Sequence, residues 1–247
     1  ELNEGMTVRP AKVGGRDTLV AVATDSPTNT YLAALALGLN KRGVVIDHAV
    51  GSIDSLSVPA DTIYSFYSPP LREILKSFLK PSQNQTGEAL IKTLGLEKTG
   101  VGMADSGAVV IRKQLAAWGV DSTSTVIYDG SGMSRHDLVT PEAIVKILIG
   151  IQKDTAFMAF YDALPIVGVD GAVRTRMLGS IAVGNIHAKT GTLEFFRSLS
   201  GYVTTAVGEK LVFSILSNHY PGSVSDINNL QDAIGILLAN YRGTANK

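Results

Sequence analysis

Residues 184 to 193 read Gly-Asn-Ile-His-Ala-Lys-Thr-Gly-Thr-Leu, and this run constrains the fold more than any other. A short apolar lead is followed by a cation, two hydroxyls and a glycine in consecutive positions. If the lead is a strand, Lys189 offers a fixed positive charge, Thr190 and Thr192 offer rotatable hydroxyls, and Gly191 lets a ligand backbone approach without meeting a Cβ. That combination suits an extended peptide with an anionic end. Taken alone, Lys189-Thr190-Gly191 is also compatible with a hairpin corner, so a second element has to carry the case.

Ser82-Gln83-Asn84 is that element. It follows Pro81 and the helically spaced Leu71, Ile74, Leu75, Phe78 and Leu79. A serine and an asparagine one residue apart at a helix-to-helix junction can aim a hydroxyl and an amide into one cleft. The alternative is that Ser82 or Asn84 caps the segment 85–94. Ser-x-Asn followed about a hundred residues later by Lys-Thr-Gly matches two of the three signatures of class A β-lactamases and penicillin-binding proteins.

At 247 residues and 45% hydrophobic, the chain can bury one large core, or a core plus a small appendage. Lysine plus arginine equals aspartate plus glutamate, 22 of each, so no net field draws it to nucleic acid or to acidic lipid. The absence of cysteine excludes disulfides and cysteine-ligated metal, and leaves the compartment open. The longest apolar run, Tyr31 to Leu39, is far short of the roughly 20 residues that span a bilayer. The opening Glu1-Leu2-Asn3-Glu4-Gly5 lacks the pattern of a signal peptide and fits either a mature chain or an internal fragment.

Along the chain, Thr7-Val8 and Thr18 to Ala23 are short β-prone pieces that look like the tail of another unit. Ser26-Pro27 starts a helix that ends at Lys41-Arg42-Gly43. Val44 to Val50 reads as a strand, and Ser68-Pro69 as the cap of the helix that delivers Ser82. Asp105-Ser106 opens a helix to Trp118, Val126 to Tyr128 is a short strand, and Thr140-Pro141 starts a helix. Asp129 to Ser134 reads as a loop and cleft wall; it does not follow the phosphate-binding Gly-x-x-x-x-Gly-Lys-Ser/Thr pattern. Ser198 to Thr205 and Lys210 to Ser217 form a hairpin beside the Lys189 strand. The helix Ser225 to Tyr241 then packs its Ile227, Leu230, Ile234, Leu237 and Leu238 on the sheet. The expected fold class is α+β, an antiparallel sheet flanked by helices.

Ser68-Pro69-Pro70-Leu71 through Leu94-Gly95, Asp129 to Ser134, Val139-Thr140-Pro141, Ala188 to Leu193 and Leu199 to Tyr202 stand in this order over nearly the whole chain. With these motifs the sequence resembles the D-alanyl-D-alanine carboxypeptidase/endopeptidase family of low-molecular-mass penicillin-binding proteins, of the penicillin-binding protein 4 (DacB) type. The resemblance implies a penicillin-binding-protein/β-lactamase-like transpeptidase fold and serine acyl transfer on peptidoglycan stem peptides ending in D-Ala-D-Ala. It also implies acylation by β-lactams, a periplasmic or extracytoplasmic location and no cofactor. By the same resemblance Ser82 relays a proton toward the leaving amine, and Asn84 holds the substrate peptide group. Lys189 favours anionic forms in the cleft, and Thr190 and Thr192 bind the terminal carboxylate. The amide that follows Gly191, that of Thr192, supplies half of the oxyanion hole.

The sequence departs from the family at the nucleophile. The family's Ser-x-x-Lys lies upstream of an inserted accessory region, and the one formal match here, Ser77-Phe78-Leu79-Lys80, occupies the helix before Ser82. It is read as coincidence. Residues 1–24 are then the return from the inserted region, and residues 25–247 the C-terminal portion of an incomplete penicillin-binding domain, whose partner is the missing N-terminal portion of the same enzyme. The chain alone is expected to be inactive. The alternatives are a non-catalytic module on the same fold that binds peptidoglycan or a partner protein, and a β-lactamase. His48, His136, His187 and His219 lack paired spacing, which argues against a zinc peptidase. In a regular strand His187 shares the face of Lys189 and reads as a lining residue. Asn84-Gln85-Thr86 is a formal glycosylation sequon that means nothing in a bacterial envelope enzyme.

Overall fold

The computed structural model describes residues 11–13 and 16–18 as backbone, and residues 26–46, 61 and 65–243 in full. The chain divides into two compact units, Glu1–Phe66 and Tyr67–Lys247. In the first, β1 (Ala11–Val13) pairs antiparallel with β2 (Arg16–Thr18), and α1 spans Pro27–Asn40. The Ser26 hydroxyl caps α1 by accepting from the Asn29 amide, with proline in the first turn, and Gly43 adopts φ 81° beyond its end. The cap, the proline and the glycine stop all lie where the sequence puts them. Residues 44–46 are not a strand; the rest of that expected strand, and Thr7-Val8, lie outside the described residues.

The second unit is built on a three-stranded antiparallel sheet, β5 (His187–Leu193), β6 (Phe196–Thr204) and β7 (Lys210–Asn218), in that spatial order. Alternation along β6 separates two cores. Leu199 and Val203 face one side, where they join Ile186, Ala188, Phe213 and Ala239 of the final helix α7 (Val224–Asn240). Tyr202 faces the other, where it joins Leu148 of α5 (Pro141–Ile151), Phe157 and Tyr161 of α6 (Phe157–Ala163), and Leu79 of α2 (Leu71–Leu79). Tyr202 is fully buried, and its hydroxyl donates to the Leu148 carbonyl at 2.8 Å, which satisfies a polar group the core could not otherwise take. Burying a ring of this size stabilises by about 1.5–3 kcal/mol.

The helical layer continues through α3 (Asn84–Thr99) and α4 (Ala104–Ala117). Leu115, Val120 and Ala143 form a third cluster beneath them. The short pair β3 (Thr125–Val126) and β4 (Leu138–Val139) closes the base of the 127–137 loop. Helices lie on both faces of one antiparallel sheet, the arrangement the sequence implies.

Local differences have local causes. Ser68 does not cap α2: Pro70 holds the N-cap position with ψ 146° and makes no side-chain cap. Met103, rather than a polar residue, precedes α4. In α7 the side turned inward is Gln231, Gly235 and Ala239, while Leu230 and Leu237 are 52% and 69% exposed. Close approach selects the small residues, since a Cβ on Gly235 would stand 2.9 Å from the Met177 methyl. Ser223 and Asp226 form the reciprocal capping box that starts this helix.

Candidate active site

Helix α2 ends in a way that puts Ser82 under strain. The Gln83 amide donates to the Phe78 carbonyl at 3.0 Å, the long closing bond of a Schellman-type stop, and Ser82 takes the left-handed position with φ 62°. Glycine is the usual occupant there, because a Cβ in this region costs on the order of 1–2 kcal/mol. A serine held in such a conformation points to a requirement for its hydroxyl. Ser82 is exposed, as is Asn84 in the first turn of α3. Gln83 occupies the N-cap of α3 with no side-chain cap bond, so neither Ser82 nor Asn84 is spent on capping.

The sheet supplies the opposite wall. Lys189 pairs with Ser200 and His187 with Tyr202, so both side chains share the face of β5 that looks toward α2 and α6. Lys189 Nζ donates to Ser82 Oγ at 2.8 Å and to its neighbour's carbonyl, Thr190 O, at 2.7 Å. The ammonium thus bridges the two motifs. Burial lowers its pKa from the ordinary 10.5.

Strand β5 is an edge strand, and its outer edge is the place for an extended ligand. The Ala188 amide points outward, donating to Pro165 O at 2.9 Å. Backbone alternation then turns the Thr190 and Thr192 amides the same way, and the Lys189–Thr190 O bond lies on that edge. An added peptide strand would meet these groups directly. The Thr190 and Thr192 side chains take the sheet face opposite Lys189. The structure gives Gly191 a reason the sequence does not: a Cβ there would collide with the hydroxyl of its cross-strand partner Ser198.

His187 lies behind the cation. Its ring stacks on Tyr161 with centroids 4.0 Å apart, Nδ1 lies 3.2 Å from the Tyr161 carbonyl, and burial lowers its pKa. It packs between β5 and α6 as a support. His136 packs on Tyr128 and His219 on Phe196, while His48 lies outside the described residues. Among the described residues no group of histidine and acidic side chains could hold a metal ion.

Ser77-Phe78-Leu79-Lys80 is not a catalytic pair in this geometry. The Ser77 hydroxyl donates back into its own helix, to the Ile74 carbonyl at 3.0 Å, while Lys80 Nζ turns to Asp170 at 2.6 Å. A cavity of about 290 Å³ lined by Phe78, Leu90, Ile91, Leu94, Ile111 and Asp129 includes neither Ser82 nor Lys189 in its wall.

The 129–134 loop is braced against α3. Glu88 Oε1 accepts from the Gly130 and Ser131 amides at 2.9 and 3.1 Å, and Gly87 and Gly130 touch so closely that a Cβ on either would strike the other's carbonyl. Asp129 accepts from the Gly132 and Ser134 amides; burial pushes its carboxyl up, but these bonds and its neighbours' hydrogen bonds outweigh it and leave the pKa lowered. Asp137 is held above the ordinary carboxylate range by burial, with the Asp129 carboxylate adding to the rise. As a carboxylate, its buried Oδ2 has no donor; a proton there would face the neighbouring Asp129 carboxylate. Asp137→Asn reproduces that donor, and Oδ1 still accepts from the Tyr128 amide. Urea unfolding should show Asp137→Asn more stable by about 1 kcal/mol at pH 7, the lower end of what an unpaired buried polar atom costs. A raised carboxyl pKa favours the fold below it and loses that advantage as pH rises, so the gain should vanish in acid, where Asp137 carries its own proton.

The D-Ala-D-Ala carboxypeptidase 3 (S13) family matches residues 9–241. This chain belongs to that family. It is 36% identical over 212 residues to a D-alanyl-D-alanine carboxypeptidase of Actinomadura sp. (strain R39), covering 83% of this chain and 39% of the relative. It is 32% identical over 156 residues to the D-alanyl-D-alanine carboxypeptidase DacB of Haemophilus influenzae, covering 62% of this chain and 33% of the relative. The crystal structure of penicillin binding protein 4 (dacB) from Haemophilus influenzae, complexed with a β-lactam, superposes with a TM-score of 0.64 at 28% identity, covering 70% of this chain and 42% of that one. This S13 chain therefore spans roughly one third to two fifths of the length of these relatives, and its fold is that of a penicillin-binding protein.

Proposed function

We propose that this chain is the C-terminal portion of a serine-type D-Ala-D-Ala carboxypeptidase/endopeptidase that acts on peptidoglycan stem peptides through an acyl-enzyme and is acylated by β-lactams. The observation that carries the reading is the 2.8 Å contact between Lys189 Nζ and Ser82 Oγ beside an open strand edge. A positive, partly buried ammonium on a strained serine makes that hydroxyl a relay: it passes a proton to the leaving amine while Lys189 stabilises the anionic form. The substrate lies along the outer edge of β5. The Thr190 and Thr192 hydroxyls, on the sheet face opposite Lys189, reach its terminal carboxylate around that edge, Asn84 holds its peptide group, Gly191 leaves room for Ser198, and the Thr192 amide faces the developing oxyanion.

The nucleophile comes from a Ser-x-x-Lys that residues 1–247 do not provide, since Ser77 and Lys80 point apart. Residues 1–24 read as the return from an accessory insertion and residues 25–247 as the rest of the penicillin-binding domain. The N-terminal portion of the same enzyme then completes the cleft. The substrate places the enzyme in the periplasm or elsewhere outside the cytoplasm; among the described residues no helix is long and apolar enough to cross a membrane.

Release of D-alanine from a pentapeptide ending in D-Ala-D-Ala tests the reading. The full-length gene product should release it, and penicillin should block the release. A full-length protein that binds the peptide without hydrolysing it is instead the non-catalytic module. One that turns over penicillin rapidly and leaves the peptide intact is a β-lactamase.

A further inference from the structure

The Ser82–Lys189 contact joins two segments that the chain delivers independently, one at the end of α2 and one on the sheet. The only covalent route between them runs through more than a hundred residues. They are held through positions two residues earlier, by the Lys80 side chain on the Ser82 side and by the His187 backbone on the Lys189 side. Lys80, at the end of α2, donates from Nζ to Asp170 Oδ2 at 2.6 Å and to the Leu164 carbonyl at 3.1 Å. The other oxygen of Asp170, Oδ1, accepts from the Ile166 amide at 2.9 Å. Ile166 in turn forms a β-bridge with His187, and the neighbouring Pro165 carbonyl accepts from the Ala188 amide.

We propose that Asp170 is a positioning residue for the acylation site, a clamp whose two carboxylate oxygens hold the Ser82 turn and the Lys189 strand at hydrogen-bond distance from one another, with Lys80 as its cationic half. The inference rests on the proposed role of Ser82 and Lys189 and goes beyond it by assigning what sets their separation.

The packing around the clamp supports this. Gly171, at φ 60°, leaves room for the Lys80 carbonyl and the Pro165 ring: a Cβ there would stand 2.9 Å from the Lys80 oxygen and 2.8 Å from Pro165 Cβ. The 164–171 loop is therefore pressed against the Lys80-Pro81 peptide at one end and bonded to β5 at the other. Lys80 and Asp170 retain 22% and 34% of their side-chain surface. A lone partly exposed ion pair contributes little to stability, so a clamp of this kind acts mainly through geometry. Misplacing a proton relay by about 1 Å can cost on the order of 100-fold in rate.

A second ion pair in the same region supplies the control. Arg176 NH2 lies 2.6 Å from Asp232 Oδ1, with the pair only 12% and 22% exposed, and it ties the 174–177 segment to α7 rather than to Ser82. In the full-length protein, Asp170→Asn keeps an oxygen for the Ile166 amide but puts an NH2 group against Lys80. Fluorescent penicillin should then acylate this variant about 10- to 100-fold more slowly at saturation, with the half-saturating concentration unchanged. Lys80→Met should behave alike, Lys80→Arg should restore most of the rate, and Arg176→Met should lower the melting temperature without changing the rate of the folded enzyme. Crystal structures give the second readout. The Ser82 Oγ to Lys189 Nζ separation should open beyond about 3.5 Å in Asp170→Asn and stay closed in Arg176→Met. An unaltered protein that takes no label sinks the proposed function and leaves the separation to test the clamp. An Asp170→Asn variant that keeps the short contact, or that labels at the parent rate, overturns the clamp.

Discussion

Lys189→Ala in the full-length protein should lower penicillin acylation and D-alanine release together, each by about 100- to 1,000-fold, the usual cost of deleting one preorganised electrostatic donor. Both reactions pass through an anionic centre in the same cleft, so a charge that serves one serves the other. The melting temperature should stay close to that of the parent. The 2.8 Å bond to Ser82 is solvent-accessible, and burial already works against the charged form. The pH dependence follows from the same shift. With its pKa below the ordinary 10.5, folded Lys189 gives up its proton before an unfolded lysine does, so the alkaline limb of acylation should fall below 10.5. In that window the fold gains stability relative to the unfolded chain as pH rises, the opposite sign from the activity, and Lys189→Ala should remove both effects. Parent-like rates in the mutant would take Lys189 out of the mechanism.

Ser82 offers the second large effect, because activity and stability should move apart. Ser82→Gly removes the hydroxyl and also relieves a left-handed residue at φ 62°. Acylation and turnover should fall by about 100- to 10,000-fold, the range for a lost proton-transfer group. Stability measured by urea unfolding should match or exceed that of the parent. Ser82→Ala loses the same hydroxyl but keeps the Cβ in the left-handed well, so it should be less stable than Ser82→Gly by about 1 kcal/mol while equally slow. If the glycine and alanine variants unfold alike, the strain argument fails. If either keeps parent activity, the relay does.

How much of this the sequence shows depends on the range of the interaction. The α1 and α5 starts are visible because Ser26 and Thr140 cap amides three residues away, and short-range chemistry leaves a local signature; the last helix, read from Ser225, instead starts at Val224 behind the Ser223 cap. The two outer motifs were legible for a different reason. Ser-x-Asn and Lys-Thr-Gly are each ambiguous alone, and only the requirement that they meet in one cleft makes them a pair.

What stayed hidden lies in the connection between them. The sequence marks no element between 152 and 183, yet this stretch holds α6, the Asp170 clamp and the loop that registers β5. Its information is long-range: Asp170 acquires meaning only when Lys80, ninety positions earlier, arrives beside it. The Gly191 requirement is hidden in the same way, since it comes from Ser198 across the strand pair. In α7, helical spacing picks out Leu230 and Leu237, but the buried side is Gln231, Gly235 and Ala239, because Gly235 approaches Met177 and Ile186 too closely for a side chain and Gln231 accepts from Arg176. The Schellman-type end of α2 was unreadable for the opposite reason: a serine stands where the local rule expects glycine, so the function had overwritten the signal.

On the proposed reading these residues form the half of an acyl-transfer site that positions and polarises, while the attacking serine lies elsewhere in the enzyme. A β-lactam is opened only by an activated hydroxyl, and a serine with no base beside it is too weak a nucleophile. Incubation with fluorescent penicillin, followed by a denaturing gel and mass spectrometry of the labelled peptide, tests this most directly. The 247-residue chain should carry no covalent label, and the full-length gene product should carry one, on the serine of an upstream Ser-x-x-Lys. Label on Ser77 or Ser82 of the 247-residue chain, or a full-length protein that takes none, would contradict the account.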